Sequence, residues 1–137
     1  MPSKSFTLEE ANSLIPAISG AFDKIIALRV KMSLIREALD YTGQVKPEFQ
    51  EPPEKLNEKM GVLAEEIKKH ASEIHSYGCF VKDLDHCLVD FFTVVDNKPL
   101  FLCWKYGEDK ITYWHDTQSG ARGRQPISMI LQEVRRD

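Results

Sequence analysis

Apolar residues recur through the first half of the chain in alternating steps of four and three. Leu14, Ile18, Ala21, Ile25, Leu28, Met32, Ile35 and Leu39 form the series, and Ile15, Phe22 and Ile26 widen it beyond a narrow coiled-coil seam. This period predicts an amphipathic helix. Its start is marked by Phe6-Thr7-Leu8-Glu9-Glu10, where Thr7 can cap and Glu10 completes a capping box. Pro16 lies inside the pattern, removes one backbone hydrogen bond and predicts a kink between Asn12 and Pro16. Gly43 marks the end of the segment. Gln44 to Pro53, rich in proline and charge, reads as a loop. Behind Pro52-Pro53-Glu54 the alternation resumes with Leu56, Met60, Leu63, Ile67, His70, Ile74 and Tyr77, and Gly78 is a natural C-cap. At 1.5 Å per residue the two helices extend about 50 Å and about 36 Å. Their short connection predicts an antiparallel hairpin.

After Gly78 the helical period stops. Cys79 to Lys82 is a short strand candidate, and Leu88 to Val95 is β-branched and aromatic, the pattern of a buried strand. Asp96-Asn97-Lys98-Pro99 reads as a hairpin turn and Leu100 to Tyr106 as the next strand. Gly107-Glu108-Asp109 turns the chain again, and Ile111 to His115 returns. A polar loop, Asp116 to Gly123, follows. Ile127, Ile130, Leu131 and Val134 then show helical spacing. The expected class is therefore α+β: a long N-terminal antiparallel helical hairpin, a small antiparallel β-meander and a short C-terminal helix. A single domain over 1–137 is expected, with the hairpin at 6–77, the sheet and polar loop at 79–127 and the terminal helix at 128–137.

Two helices cannot enclose so wide an apolar stripe. The sheet, a second copy of the chain, or both must cover the remainder. Pairing of two hairpins into a four-helix bundle is the simplest self-complementary solution, so a homodimer through the hairpin is expected. The alternative is a monomer whose hairpin packs wholly on its own sheet.

Composition narrows the function classes. The chain has 137 residues, 42% hydrophobic and 28% charged, as in an ordinary soluble globular protein. Its net charge of -3 speaks against bulk binding of nucleic acid or an anionic membrane. No apolar run approaches the ~20 residues of a membrane span, and the N-terminus has no apolar core of a secretory signal. The odd set Cys79, Cys87 and Cys103 shows no CxxC spacing, which fits a reducing compartment, so a cytoplasmic location is expected.

Candidate chemistry gathers between Val81 and Ile127. Asp83, Asp85, Asp90, Glu108 and His115 form an acidic and imidazole set. Asp90 stands in an otherwise apolar strand, where an unpartnered carboxylate is costly. Asp90, Glu108 and His115, with Cys103 or His86 adding a ligand, are candidates for a divalent transition metal such as zinc, iron or manganese, although the spacing matches no metal signature. The structural alternative has Asp90 capping a turn or pairing with Lys105, Arg122 or Arg124, and His115 as a surface residue at a strand end. The loop Ser119-Gly120-Ala121-Arg122-Gly123-Arg124 offers two guanidinium groups to a small anionic ligand, or to an internal carboxylate. Arg124, just ahead of the constrained Gln125-Pro126 exit, is expected to reach Asp83, Asp90 or Glu108, with Arg122 nearer solvent. Trp104, Tyr106, Tyr113 and Trp114 can stack on a base, but packing of a small sheet is the better use. His70 and His75 lie five apart and make no helical metal pair. Cys79 and Cys87 read as ordinary buried thiols.

Several ordered motifs carry a resemblance. They are Phe6-Thr7-Leu8-Glu9-Glu10-Ala11-Asn12 with Leu14 and Pro16, Gly78, Val81-Lys82-Asp83, Leu88-Val89-Asp90-Phe91 and Leu102-Cys103-Trp104. Gly107-Glu108, Trp114-His115 and Gly123-Arg124-Gln125-Pro126-Ile127 complete the string. With these the chain resembles the prokaryotic domain-of-unknown-function family 2203. The resemblance implies a small cytoplasmic protein with a helical region and a compact C-terminal part, and brings no activity, cofactor or partner. Asp85-His86-Cys87 replaces a glycine usual in that family, and Ser128 to Asp137 runs past the motif string. This favours Asp90, Glu108, His115 and Arg124 over His86 and Cys87 as shared residues. With no recognised catalytic signature, the expected function is a non-enzymatic dimeric binding or scaffold module with a polar pocket on its sheet. The alternative is a metal-dependent enzyme or metal sensor using Glu108, His115 and Asp90.

Overall fold

The structure, a computed structural model, describes residues 4–39, 44–47, 49–118 and 123–130. Helix α1 spans Leu8–Ala38 and helix α2 spans Pro53–Ser76. The capping box at the start of α1 is formed. The Glu10 amide donates to the Thr7 hydroxyl at 3.1 Å, and the Thr7 amide to the Glu10 carboxylate at 2.9 Å. The helix continues through Pro16. Asn12, four residues ahead, cannot offer its carbonyl to a proline nitrogen. Its side-chain oxygen instead accepts the Ile111 amide at 2.8 Å and ties the helix to the sheet.

Five antiparallel strands follow, β1 (Phe80–Asp83), β2 (Leu88–Val95), β3 (Lys98–Lys105), β4 (Tyr113–Asp116) and β5 (Gln125–Pro126), side by side in chain order. The meander is thus longer than the sequence pattern indicates. The two-residue β5, paired through Gln125 and Pro126 to Trp114 and Tyr113, is too short to show a period. The strand expected at Ile111 begins at Tyr113, because the Ile111 amide bonds to Asn12. The β2–β3 turn is also tighter than four residues. Asp96 and Asn97 both take left-handed backbone angles (φ 51° and 65°), the form of a two-residue hairpin turn. Val95 therefore faces Lys98, and Asp90 faces Cys103.

Strand alternation divides the sheet. Val89, Phe91, Val95, Leu100, Leu102 and Trp104 join Phe6, Ile18, Phe22, Ile25 and Ile74 in one core between sheet and hairpin. Phe6 packs edge-on against Phe91, and its amide donates to the Phe92 carbonyl at 2.8 Å. Trp104 is buried against Phe22 and Tyr106, and its indole N–H donates to the Glu108 carbonyl at 2.8 Å. The other face carries the alternate residues of the ladder, among them Phe80, Asp90, Phe92, Phe101, Cys103 and His115.

Burial along the hairpin is uneven. From Leu8 to Leu28, α1 buries Leu8, Ala11, Ile15, Ile18, Ala21, Phe22, Ile25 and Leu28, but past Leu28 only Ala38 is buried. On α2 the buried residues are Leu56, Ile67 and Ile74. The expected terminal helix at 128–137 is not shown. Ile127–Met129 form a 3-10 turn with Ile127 buried, and 131–137 lie outside the described residues. Among the described residues no helix is long and apolar enough to cross a membrane.

Candidate functional site

Asp90 lies in the middle of β2, on the face turned away from the helices. Its cross-strand neighbours on that face are Phe80 in β1 and Cys103 in β3. Cys103 faces Tyr113 in β4, and His115 is the next residue of β4 on the same side, opposite Phe101. The ladder so brings together three side chains from three adjacent strands. Their donor atoms, a carboxylate oxygen, the Cys103 sulfur and a His115 ring nitrogen, lie within 4.8 Å of one another. All three residues are buried; Asp90 is 3% and His115 2% exposed. The expectation of a surface His115 is corrected, and among the described residues Asp90 pairs with His115 rather than capping a turn or meeting Lys105 or Arg124. Asp90 Oδ1 sits 2.9 Å from His115 Nε2. Lys105 is exposed opposite Leu88, and Arg124 is engaged elsewhere.

The second ring nitrogen fixes the orientation of the imidazole. Nδ1 is 2.7 Å from the Asp116 carbonyl. A carbonyl only accepts, so Nδ1 carries a hydrogen and Nε2 faces Asp90. A bare Nε2 lone pair opposite a carboxylate oxygen would repel it, so the geometry calls for a positive charge between them. Burial pulls the His115 pKa down. The Asp90 carboxylate, the Cys103 sulfur and the Asp116 carbonyl outweigh it and raise the value from 6.5 to about 10. Phe101 lies over the imidazole at 5.5 Å between centroids and is itself met edge-on by Phe80 and Phe92. The burial of Asp90 and His115 closes the centre to solvent.

Linkage gives the sign of the pH effect. A group whose folded pKa lies above its ordinary 6.5 stabilises fully below that pH and loses its contribution as pH rises through about 10. In chelator-treated protein, the denaturation midpoint is expected to fall steadily across this window. Asp90→Asn should flatten the dependence; an equal fall in that variant would contradict the assignment.

Glu108 and Arg124 form a second cluster beside the first. Glu108 Oε1 accepts the Lys105 amide at 2.7 Å, which shapes the turn after β3. Arg124 Nη2 donates to both Glu108 oxygens, at 3.0 and 3.2 Å, and to the Cys103 carbonyl at 3.4 Å, with its guanidinium 4.2 Å from the Tyr113 ring centre. Arg124 thus reaches a sheet carboxylate as its position suggested, and that carboxylate is Glu108. Cys103 joins the clusters, with its side chain in one and its carbonyl in the other.

The remaining candidates separate from this centre. Asp83 accepts from the His86 ring at 2.8 Å and from its amide at 3.1 Å in the β1–β2 turn, and these bonds hold its carboxyl below the usual range. Asp85 is exposed and pairs with Arg29. Arg122 lies outside the described residues. Cys79 donates to the Ile74 carbonyl, and burial pushes its thiol up to about 11; burial raises Cys87 as well. Both suit inert thiols. Of the aromatic group, Trp104 is in the core, Tyr106 and Trp114 pack against it, and Tyr113 lies under Arg124.

A family model described as "Uncharacterized conserved protein (DUF2203)" matches residues 4–127. No curated protein and no solved structure shows significant similarity to the chain.

Proposed function

The chain belongs to the DUF2203 family, and from that premise we propose that it is a non-catalytic module that works as a homodimer, joined through the outer half of its helical hairpin. One observation carries this reading. Val30 and Leu34, one turn apart on the part of α1 where burial thins out, are 56% and 60% exposed, and Val62, which shares a groove with Leu34, is 59% exposed. Between the helices there, Leu34, Ile35, Val62 and Leu63 line a groove of about 550 Å³ together with Lys31, Lys55, Lys59 and Glu58. Contiguous apolar surface of this kind marks an interaction site.

The charges beside Val62 on α2 are mixed: Glu54, Lys55, Glu58 and Lys59 precede it, and Glu65, Glu66, Lys68 and Lys69 follow it. Both signs are therefore available to an isologous contact between two copies. Gly61 supports the same reading. Among the described residues, nothing beyond the helix's own backbone lies within 4 Å of a Cβ placed there, yet a mid-helix glycine costs about 0.5–1 kcal/mol relative to alanine. Close approach of a partner helix gives that glycine a use.

The sheet's polar groups favour a non-catalytic role. Asp90 is bonded to His115 and Glu108 to Arg124, and the first pair is closed from solvent. Amide hydrogen exchange tests the interface. Protection of 30–39 and 53–63 is expected to rise with protein concentration, and Leu34→Glu is expected to abolish that rise while leaving the helical circular dichroism intact. Exchange independent of concentration would overturn the proposal.

A further inference from the structure

We propose that Asp90, Cys103 and His115 form a buried binding site for a divalent transition metal of the zinc class, which clamps β2, β3 and β4 together on the face away from the helices. The proposal stands apart from the dimer reading and does not depend on it.

The donor set is mixed, one thiol sulfur, one imidazole nitrogen and one carboxylate oxygen, all within 4.8 Å of one another and buried. Zinc holds nitrogen and oxygen at about 2.0–2.2 Å and sulfur at about 2.3 Å, so a tetrahedral site needs donor separations of about 3.3–3.6 Å. On binding, the 2.9 Å between His115 Nε2 and Asp90 Oδ1 would open by a few tenths of an ångström, and separations in the set that reach up to 4.8 Å would close toward that range. The ion takes the place of the proton that Nε2 otherwise shares with Asp90, and answers the same need for positive charge between them.

The surroundings are those of a built site. The Nδ1 hydrogen of His115 is committed to the Asp116 carbonyl at 2.7 Å, which aims Nε2 inward; metal-bound histidines are characteristically oriented this way. Each ligand stands on a different strand of one ladder, and strands hold donor positions more rigidly than loops. The Phe101 ring covers the imidazole. Sulfur with nitrogen selects zinc, cobalt(II) or iron(II) and disfavours magnesium and calcium, which take oxygen ligands. The set supplies three protein donors, so the fourth position of a four-coordinate ion is left to a water molecule. Burial of all three residues on adjacent strands suits an ion that holds the sheet together. Glu108, which the sequence pattern offers as a ligand, is outside the set, because both its oxygens are held by Arg124.

The test is titration of the untagged, chelator-stripped full chain with cobalt(II). One equivalent is expected to bind, with a sulfur-to-cobalt charge-transfer band and the visible bands of tetrahedral cobalt, both displaced by zinc. Cys103→Ser should remove the charge-transfer band, and His115→Gln should weaken binding at least tenfold, while Cys87→Ser should change neither. Zinc, and not magnesium, should raise the melting temperature. No charge-transfer band in the wild type, or a band that survives Cys103→Ser, would overturn the proposal. Should the Cys103 or His115 variants not fold, X-ray absorption of the zinc-loaded wild type decides: one sulfur with nitrogen and oxygen neighbours supports the site, and an all-oxygen shell refutes it.

Discussion

Replacing Asp90 by alanine is expected to lower the stability of metal-free protein by about 3–5 kcal/mol, because it breaks a buried ion pair by removing one partner. Asp90 and His115 meet at 2.9 Å with side chains 4% and 2% exposed. Without the carboxylate, the imidazole, itself buried, has lost the group that favours its charged form. Asp90→Asn should cost less, since an amide N–H can donate to a neutral Nε2 and satisfy it. Chemical denaturation of both variants at neutral pH checks the order. Equal stability of Asp90→Ala and wild type would mean that the pair does not hold the sheet.

Trp104→Ala should cost a similar amount, about 3–5 kcal/mol, as expected for emptying a large aromatic site in a packed core. Trp104 is fully buried between the sheet and Phe22. Its indole also holds the Glu108 carbonyl, and Glu108 in turn holds Arg124. Loss of the ring therefore reaches the turn after β3 as well as the core. Trp104→Phe keeps most of the apolar volume and forfeits the hydrogen bond, so a smaller loss is expected. If denaturation ranks Trp104→Phe with Trp104→Ala, the core account is wrong and the hydrogen bond dominates.

The helices were legible because each carries a long apolar period, and β2 because it is a long β-branched and aromatic run. Residues Leu88–Val95 are both the predicted and the observed span of β2. The capping box and the C-terminal limit of α2 could be read from single residues, since capping is local chemistry. The centre was harder to read because it depends on register. A four-residue turn at Asp96–Pro99 would set Asp90 opposite Lys105, one of the pairings the sequence suggested. The two-residue turn actually formed sets it opposite Cys103. Asp96-Asn97 was the available signal, as both residue types tolerate the left-handed backbone that such a turn demands. His115 was misjudged for a related reason. It lies near the end of a short strand, but Phe101 opposite it packs on its ring and the residue is buried. Nothing local in the sequence reports cover supplied from another strand. The Arg124 pairing was foreseeable, because Gln125-Pro126 restricts the exit of its loop.

The central claim is that the hairpin's outer half is an interface between two copies. The most direct test is the solution mass of the intact chain, by sedimentation equilibrium from micromolar concentrations upward, beside Leu34→Glu. The account predicts twice the 15.7 kDa chain mass for the wild type and the single-chain mass for the variant. A wild-type mass of 15.7 kDa across the whole range would contradict it.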